Sequence, residues 1–235
     1  MPNKKDGFLS SIIGEAIKDV KNKIPEIPKL DEAYPVQARK HSQVTDSLSQ
    51  KAIQAHNELL EGYVKNLNEV SAKLDTVDRD SSNPNHSSFR QLKLDESHLI
   101  NAAFLHGLFF ENIGDPKSEI AVDSISYMRL ERDWGSFNNW QKDFIACSLA
   151  ARNGWAVTCY NTFLDKYINV VVDLHSLNVP FGCIPVIVMD CWEHSYYTDY
   201  VKDRKSYVFA MMKELRWGVI QERFESTEEA AKVLR

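Results

Sequence analysis

The chain has 235 residues, enough for one large domain or two small ones with substantial cores. Hydrophobic residues make up 43% and charged residues 26%, a balance that suits a soluble globular protein rather than a disordered or membrane-embedded one. With 28 Lys+Arg against 33 Asp+Glu the net charge is −5, which argues against a general nucleic-acid binder. Cys147, Cys159, Cys183 and Cys191 show no C-x-x-C spacing and lie among apolar residues, so they read as reduced, buried thiols rather than disulfides or zinc ligands. No apolar run approaches the ~18 residues of a membrane span, and the amino terminus lacks the pattern of a secretion signal. The expectation is an intracellular, soluble protein of the cytoplasm or an organelle matrix, or a component of a large particle.

Residues 1–24 carry an amphipathic pattern. Phe8, Leu9, Ile12, Ile13, Ala16, Ile17, Val20 and Ile24 recur at three- and four-residue spacing, with Lys18, Asp19, Lys21 and Lys23 between them. Pro25 and Pro28 end any helix there. The apolar face needs a partner: its own domain, another subunit or a membrane surface, the last disfavoured by the mixed charge signs. Residues 25–47 have three prolines and no sustained period, which predicts an extended linker with His41 in solvent.

From Ser49 the pattern becomes helical. Ile53, His56, Leu60, Tyr63, Val64 and Leu67 share a face, Ser47 or Ser49 is a plausible N-cap, and the helix can reach Leu74. The polar run 75–88 breaks it. A second helix is predicted from Asp95–Ser97 through Phe110, and two long helices joined by a polar loop form an antiparallel hairpin. Trp134-Gly135-Ser136-Phe137 opens another helix, ending near Asn153-Gly154. Strands are predicted at 155–160, 167–174 and 185–190, then a helix over 203–215 and a short one over 219–224. The fold class is therefore α+β: residues 1–47 an amphipathic arm and linker, 48–114 an antiparallel helical hairpin, and 115–235 an α/β region with a small three-stranded antiparallel sheet.

The most informative stretch is 185–197. A β-branched, apolar run stops at Asp190, and His194 follows four residues later; if the chain turns into helix, carboxylate and imidazole converge. Alone, this pair fits a structural salt link as well as a metal site. The full string Asp190-x-Trp192-Glu193-His194-x-Tyr196-Tyr197-x-Asp199-Tyr200 resembles the signature of the iron/manganese superoxide dismutases. The resemblance extends over about 49–224. It includes Ser49-x-Lys51-x-Ile53-x-x-His56, Tyr63-Val64-x-Asn66-Leu67-Asn68, His106 within 104–112, and His175-x-x-Asn178-Val179-Pro180-Phe181-Gly182.

The resemblance implies His56, His106, Asp190 and His194 as ligands of one iron or manganese per chain. It also implies Tyr63 as a gateway tyrosine and His175 as the outer-sphere partner that tunes the metal and its solvent. The substrate would be superoxide, one molecule oxidised to dioxygen and the next reduced to peroxide. A homodimer would form through the Glu193 region. Taken singly, each residue has a plainer reading: His106 as a core histidine, Tyr63 as packing, His175 as a loop residue.

Departures from the family pattern are specific. His56 precedes Tyr63 by seven residues where the family has eight, so a gapless alignment would put Ala55 in the ligand position. Leu59 and Leu60 replace a His-His pair, depriving Tyr197 of its usual partner, and Leu105 replaces an Asn. With the long amino terminus, these leave a second reading open: a noncatalytic subunit of a virion or ribosome that keeps the fold and docks through its arm. No direct nucleic-acid contact and no transmembrane segment are expected.

Overall fold

The computed structural model describes residues 33–234; the amphipathic segment 1–24 lies outside the described residues. Among the described residues, seven helices and three strands follow in order: α1 Gln50–Thr76, α2 Ser88–Asn112, α3 Ile125–Trp134, α4 Phe137–Ala150, β1 Gly154–Asn161, β2 Lys166–Asp173, β3 Cys183–Asp190, α5 Glu193–Tyr200, α6 Arg204–Met211 and α7 Trp217–Leu234. This is the expected α+β order. α1 and α2 form the antiparallel hairpin, and β2-β1-β3 make an antiparallel sheet.

Five helices start with one device, a side-chain oxygen accepting an N–H of the first turn. Ser49, Ser87, Ser124, Ser136 and Asp203 accept from Ala52, Arg90, Tyr127, Asn139 and Ser206. Gly135, at φ 76°, ends α3 in the left-handed conformation that glycine adopts without strain.

β1 is central and buried along its whole length. Gly154 opens it because a Cβ there would sit 2.0 Å from the Val172 carbonyl oxygen. Pro185, which cannot donate to a ladder, lies on edge strand β3, opposite Cys159 and just past a register shift at Thr158/Cys159. The main core joins sheet and helices through Phe109, Phe110, Trp140, Phe144, Trp155, Tyr160, Tyr167 and Phe224. A smaller cluster of Leu67, Val70, Leu74 and Leu99 holds the far end of the hairpin.

Several expectations are corrected. α2 begins at Ser88, a full turn or more before Asp95, because Ser87 caps it and Phe89 and Leu92 pack against the far end of α1. α3 was not foreseen: only Ser126 and Leu130 are buried on it, too few for a readable stripe. α6 stops at Met211 rather than 215, and the short closing helix is the 18-residue α7. Residues 33–47 are irregular yet tied down. The backbone N–H groups of Tyr34, Val36 and His41 donate to Ser71 Oγ, Asn68 Oδ1 and Asn57 Oδ1 along α1. His41 is not in open solvent; it stacks on Phe110 with ring centroids 4.7 Å apart, and burial lowers its pKa.

Candidate metal centre

Each half of the molecule supplies a pair of donors. His56 lies in the second turn of α1 with its side chain buried, while Ala55 faces outward, exposed. His106 is fully buried on α2. Its Nδ1 lies 2.6 Å from the Ala102 carbonyl oxygen, so Nδ1 carries the proton and Nε2 presents a bare lone pair. Asp190 ends β3, and the chain turns at once into α5, which carries His194. The turn is fixed through Asp190 itself. Its Oδ1 accepts the Trp192 N–H at 2.9 Å, and its carbonyl accepts from Tyr207 Oη at 2.9 Å.

Asp190 Oδ2 is the meeting point. It lies 3.1 Å from His56 Nε2, 3.2 Å from His194 Nε2 and 3.6 Å from His106 Nε2. His106 Nε2 and His194 Nε2 are 3.3 Å apart, and the four donor atoms all lie within 4.8 Å of one another. Donors about 2 Å from a shared centre are spaced in this way. Although close to Asp190, the buried His56 Nε2 has no hydrogen-bond partner, its approach to the carboxylate being out of line. An imidazole nitrogen without a hydrogen bond, set among three other donors, suits a cation site better than a salt link.

The protonation states agree. Burial lowers His56, and it lowers His106 to about 3, so both imidazoles stay neutral at physiological pH. Burial works against charge on Asp190 too, but the His194 and His56 imidazoles facing it outweigh that and hold its carboxyl well below the usual range. One carboxylate and three imidazoles without thiolate suit iron or manganese.

A second ring of side chains encloses the donors. Trp155 Nε1 donates to His175 Nδ1 at 3.0 Å, which leaves the proton on His175 Nε2, 3.2 Å from Tyr63 Oη. Burial lowers His175 to about 4, and burial followed by the Asp190 charge raises Tyr63. Trp192 stacks on His175 at 4.8 Å, Trp155 packs edge-on to His106 at 4.8 Å, and Phe110 leans on His56 at 4.9 Å. All six residues singled out in the sequence therefore meet in one place. His98, which was not singled out, packs against His175 at 4.7 Å. Its signal was the eight-residue spacing to His106, about two turns along one face of α2. Of the positions that depart from the family pattern, Leu60 and Leu105 are buried in the core, and Tyr197, the residue expected to lack its partner, is exposed.

A helical hairpin and a small antiparallel sheet that close three imidazoles and one carboxylate around a buried point define a class of mononuclear redox metalloproteins. Comparison with known proteins agrees. The family model described as "Iron/manganese superoxide dismutases, C-terminal domain" matches residues 125–223. The "Superoxide dismutase [Fe]" of Aquifex aeolicus is 31% identical over 208 residues, covering 86% of this chain and 97% of that protein. The "Superoxide dismutase [Mn] 1" of Halobacterium salinarum is 33% identical over 178 residues, covering 74% and 84%. The chain belongs to the iron/manganese superoxide dismutase family.

Proposed function

We propose that this protein disproportionates superoxide to dioxygen and hydrogen peroxide, using one iron or manganese per chain held by His56, His106, Asp190 and His194. The observation that carries the reading is the convergence of these four donors, with an orphaned His56 nitrogen, in a chain of this family. When bound, the metal supplies the reversible one-electron chemistry that lets one superoxide lose an electron and the next gain one.

The chain's own residues do the rest. Asp190 supplies the single anionic donor, and the Ala102 carbonyl fixes the ligating tautomer of His106. The Phe110, Trp155 and Trp192 rings exclude bulk water from the donors. Trp155 locks His175 so that its Nε2–H points at Tyr63 Oη, leaving the Tyr63 O–H free to donate into the site. A tyrosine whose pKa is raised by burial keeps its proton until an anion takes it, and peroxide leaving the site is such an anion.

The domain organisation proposed is 1–47 arm and linker, 48–114 hairpin and 115–235 α+β region. A homodimer through the face carrying exposed Glu193 and Tyr197 completes the reading, and the apolar stripe of residues 8–24 would take a protein partner. The noncatalytic alternative is not favoured, since a purely structural role does not need four aligned donors. Among the described residues no helix is long and apolar enough to cross a membrane.

The test is superoxide consumption by protein stripped of metal and reloaded with iron or manganese. Activity should appear with one of these metals and be absent from the stripped protein. Tyr63→Phe should keep the metal and lose turnover by about a hundredfold, the lower end of the range for a positioned proton donor. Full metal loading with no activity above the free ion would reject the reading.

A further inference from the structure

The outer face of the hairpin holds an apolar stripe that the proposed reaction does not use. Ile100, Ala103, Phe104, Gly107, Leu108 and Glu111 follow at three- and four-residue steps along α2. Ile100 is 43% and Phe104 53% exposed, so large apolar side chains face solvent there. The stripe forms one side of a groove of about 450 Å³, floored by α1 and closed on the other side by residues 34–41. A Cβ at Gly107 would meet nothing within 4 Å, so the groove is open at that point.

The sequence before the described residues carries a matching stripe. Leu9, Ile12, Ile13, Ala16, Ile17 and Val20 repeat the step pattern of the six positions on α2. Laid antiparallel on α2, Ile13 faces Gly107, Ala16 faces Phe104 and Ile17 faces Ala103, so large meets small at three adjacent pairs. Laid parallel, Ile13 meets Phe104 and Ala16 meets Gly107, large on large and small on small. The antiparallel register also brings the Val20 end of the stripe to the far end of the hairpin.

The route of residues 34–41 decides whose groove is filled. At the far end of the hairpin the Tyr34 N–H donates to Ser71 Oγ at 2.7 Å and Tyr34 Oη to Glu96 Oε1 at 2.9 Å. From there the chain runs down to Asn57, whose Oδ1 accepts the His41 N–H at 2.9 Å. Followed backwards, it therefore leaves its own hairpin past the far end. Proline pushes the residue before it towards extended backbone, and Pro25 and Pro28 do this to Ile24 and Ile27. Residues 25–33 contain no glycine, the residue that a sharp reversal favours. Extended, they reach about 30 Å. Entry to the chain's own groove needs such a reversal. Entry to the groove of a second copy, placed tip to tip, does not, because the stripe arrives Val20 first.

We propose that residues 8–24 of one copy dock antiparallel on α2 of a second copy, in the groove beside Phe104 and Gly107, and that the second copy returns the contact across a two-fold axis. This docking rests on the reading of residues 8–24 as a partner-binding stripe, and it needs no metal chemistry. Helix α5, which carries Glu193, does not line the groove, so the exchange joins homodimers into a larger assembly.

Two full-length chains, one with Ile13→Cys and one with Gly107→Cys, are expressed together, loaded with metal, mildly oxidised and mapped by peptide mass. A disulfide should join position 13 of one chain to position 107 of the other, a link that neither chain can make alone. A third chain carrying both changes is the control. Closure within that chain, without a link across the mixture, would place the stripe in its own groove and overturn the proposal. No such link in either sample would overturn it as well; if a different protein then co-purifies, the partner-binding reading stands and this docking falls. Light scattering on chains without added cysteines gives a second measurement. The natural chain should hold at least twice as many subunits per particle as the full-length Ile13→Asp/Ile17→Asp variant, whose stripe cannot be buried without a large desolvation cost. Equal subunit numbers would overturn the proposal.

Discussion

The hairpin and the sheet half each give two donors to the same point, but they hold them differently. In the sheet half, Asp190 and His194 belong to one continuous turn, closed by the Trp192 N–H and by Tyr207 Oη. In the hairpin, His56 and His106 are single residues on separate long helices. Leu60, one turn on from His56, and Leu105, next to His106, are buried in the core. A site assembled from two halves asks each hairpin helix for one well-placed atom, whereas the turn between strand and helix itself sets the geometry of the other two donors.

The sharpest way to break that comparison is Asp190→Ala. It removes the only anionic donor and the oxygen that accepts the Trp192 N–H, so metal content should fall by more than the about 10–100-fold typical of losing an outer-shell partner. Wild-type metal content in this variant, measured by atomic emission, would sink the ligand assignment.

The hairpin side of the comparison is sharpened by a pair of neighbours. His56→Ala should lose metal and activity, whereas Ala55→Ser should change neither, because Ala55 is exposed and points away from the donors. Equal losses in both variants would mean that the helix end matters and not the imidazole.

A smaller effect is expected from pH. His175 at about 4 and His106 at about 3 are both depressed by burial. The unfolded chain therefore takes up protons first as pH falls below about 6.5, and stability is lost from there towards about 4. Urea midpoints of the metal-free protein should drop between about pH 7.5 and about pH 5, with a shallower drop in His175→Gln. A flat profile, or a rise on acidification, would contradict neutral buried imidazoles.

The smallest effect concerns the arm. A chain starting at Ala33 keeps the Tyr34, Val36 and His41 bonds to α1, so it should retain its metal and thermal midpoint while no longer co-purifying with a partner. Lost stability with unchanged co-purification would rule out a docking role for residues 8–24.

What the sequence disclosed follows the same division. The apolar run ending at Asp190 and the string to Tyr200 are contiguous, and a turn between strand and helix needs no distant information. His56 was preferred to Ala55 because the stretch leading up to it, from Ser49, resembles the family pattern; the structure buries His56 on the stripe of α1 that also carries Ile53, Leu60 and Leu67. The start of α2 was hidden because Ser88–Leu94 looks polar until Phe89 and Leu92 find α1 across the hairpin. His41 looked solvated because its partner, Phe110, is far along the chain.

The central claim is a metal at a particular point between particular atoms. Anomalous diffraction from crystals of the loaded protein, recorded at the iron and manganese absorption edges, tests it most directly. The account predicts one peak per chain within bonding distance of His56 Nε2, His106 Nε2, Asp190 Oδ2 and His194 Nε2. A peak elsewhere, or none at this point in protein that carries the metal in solution, would contradict it.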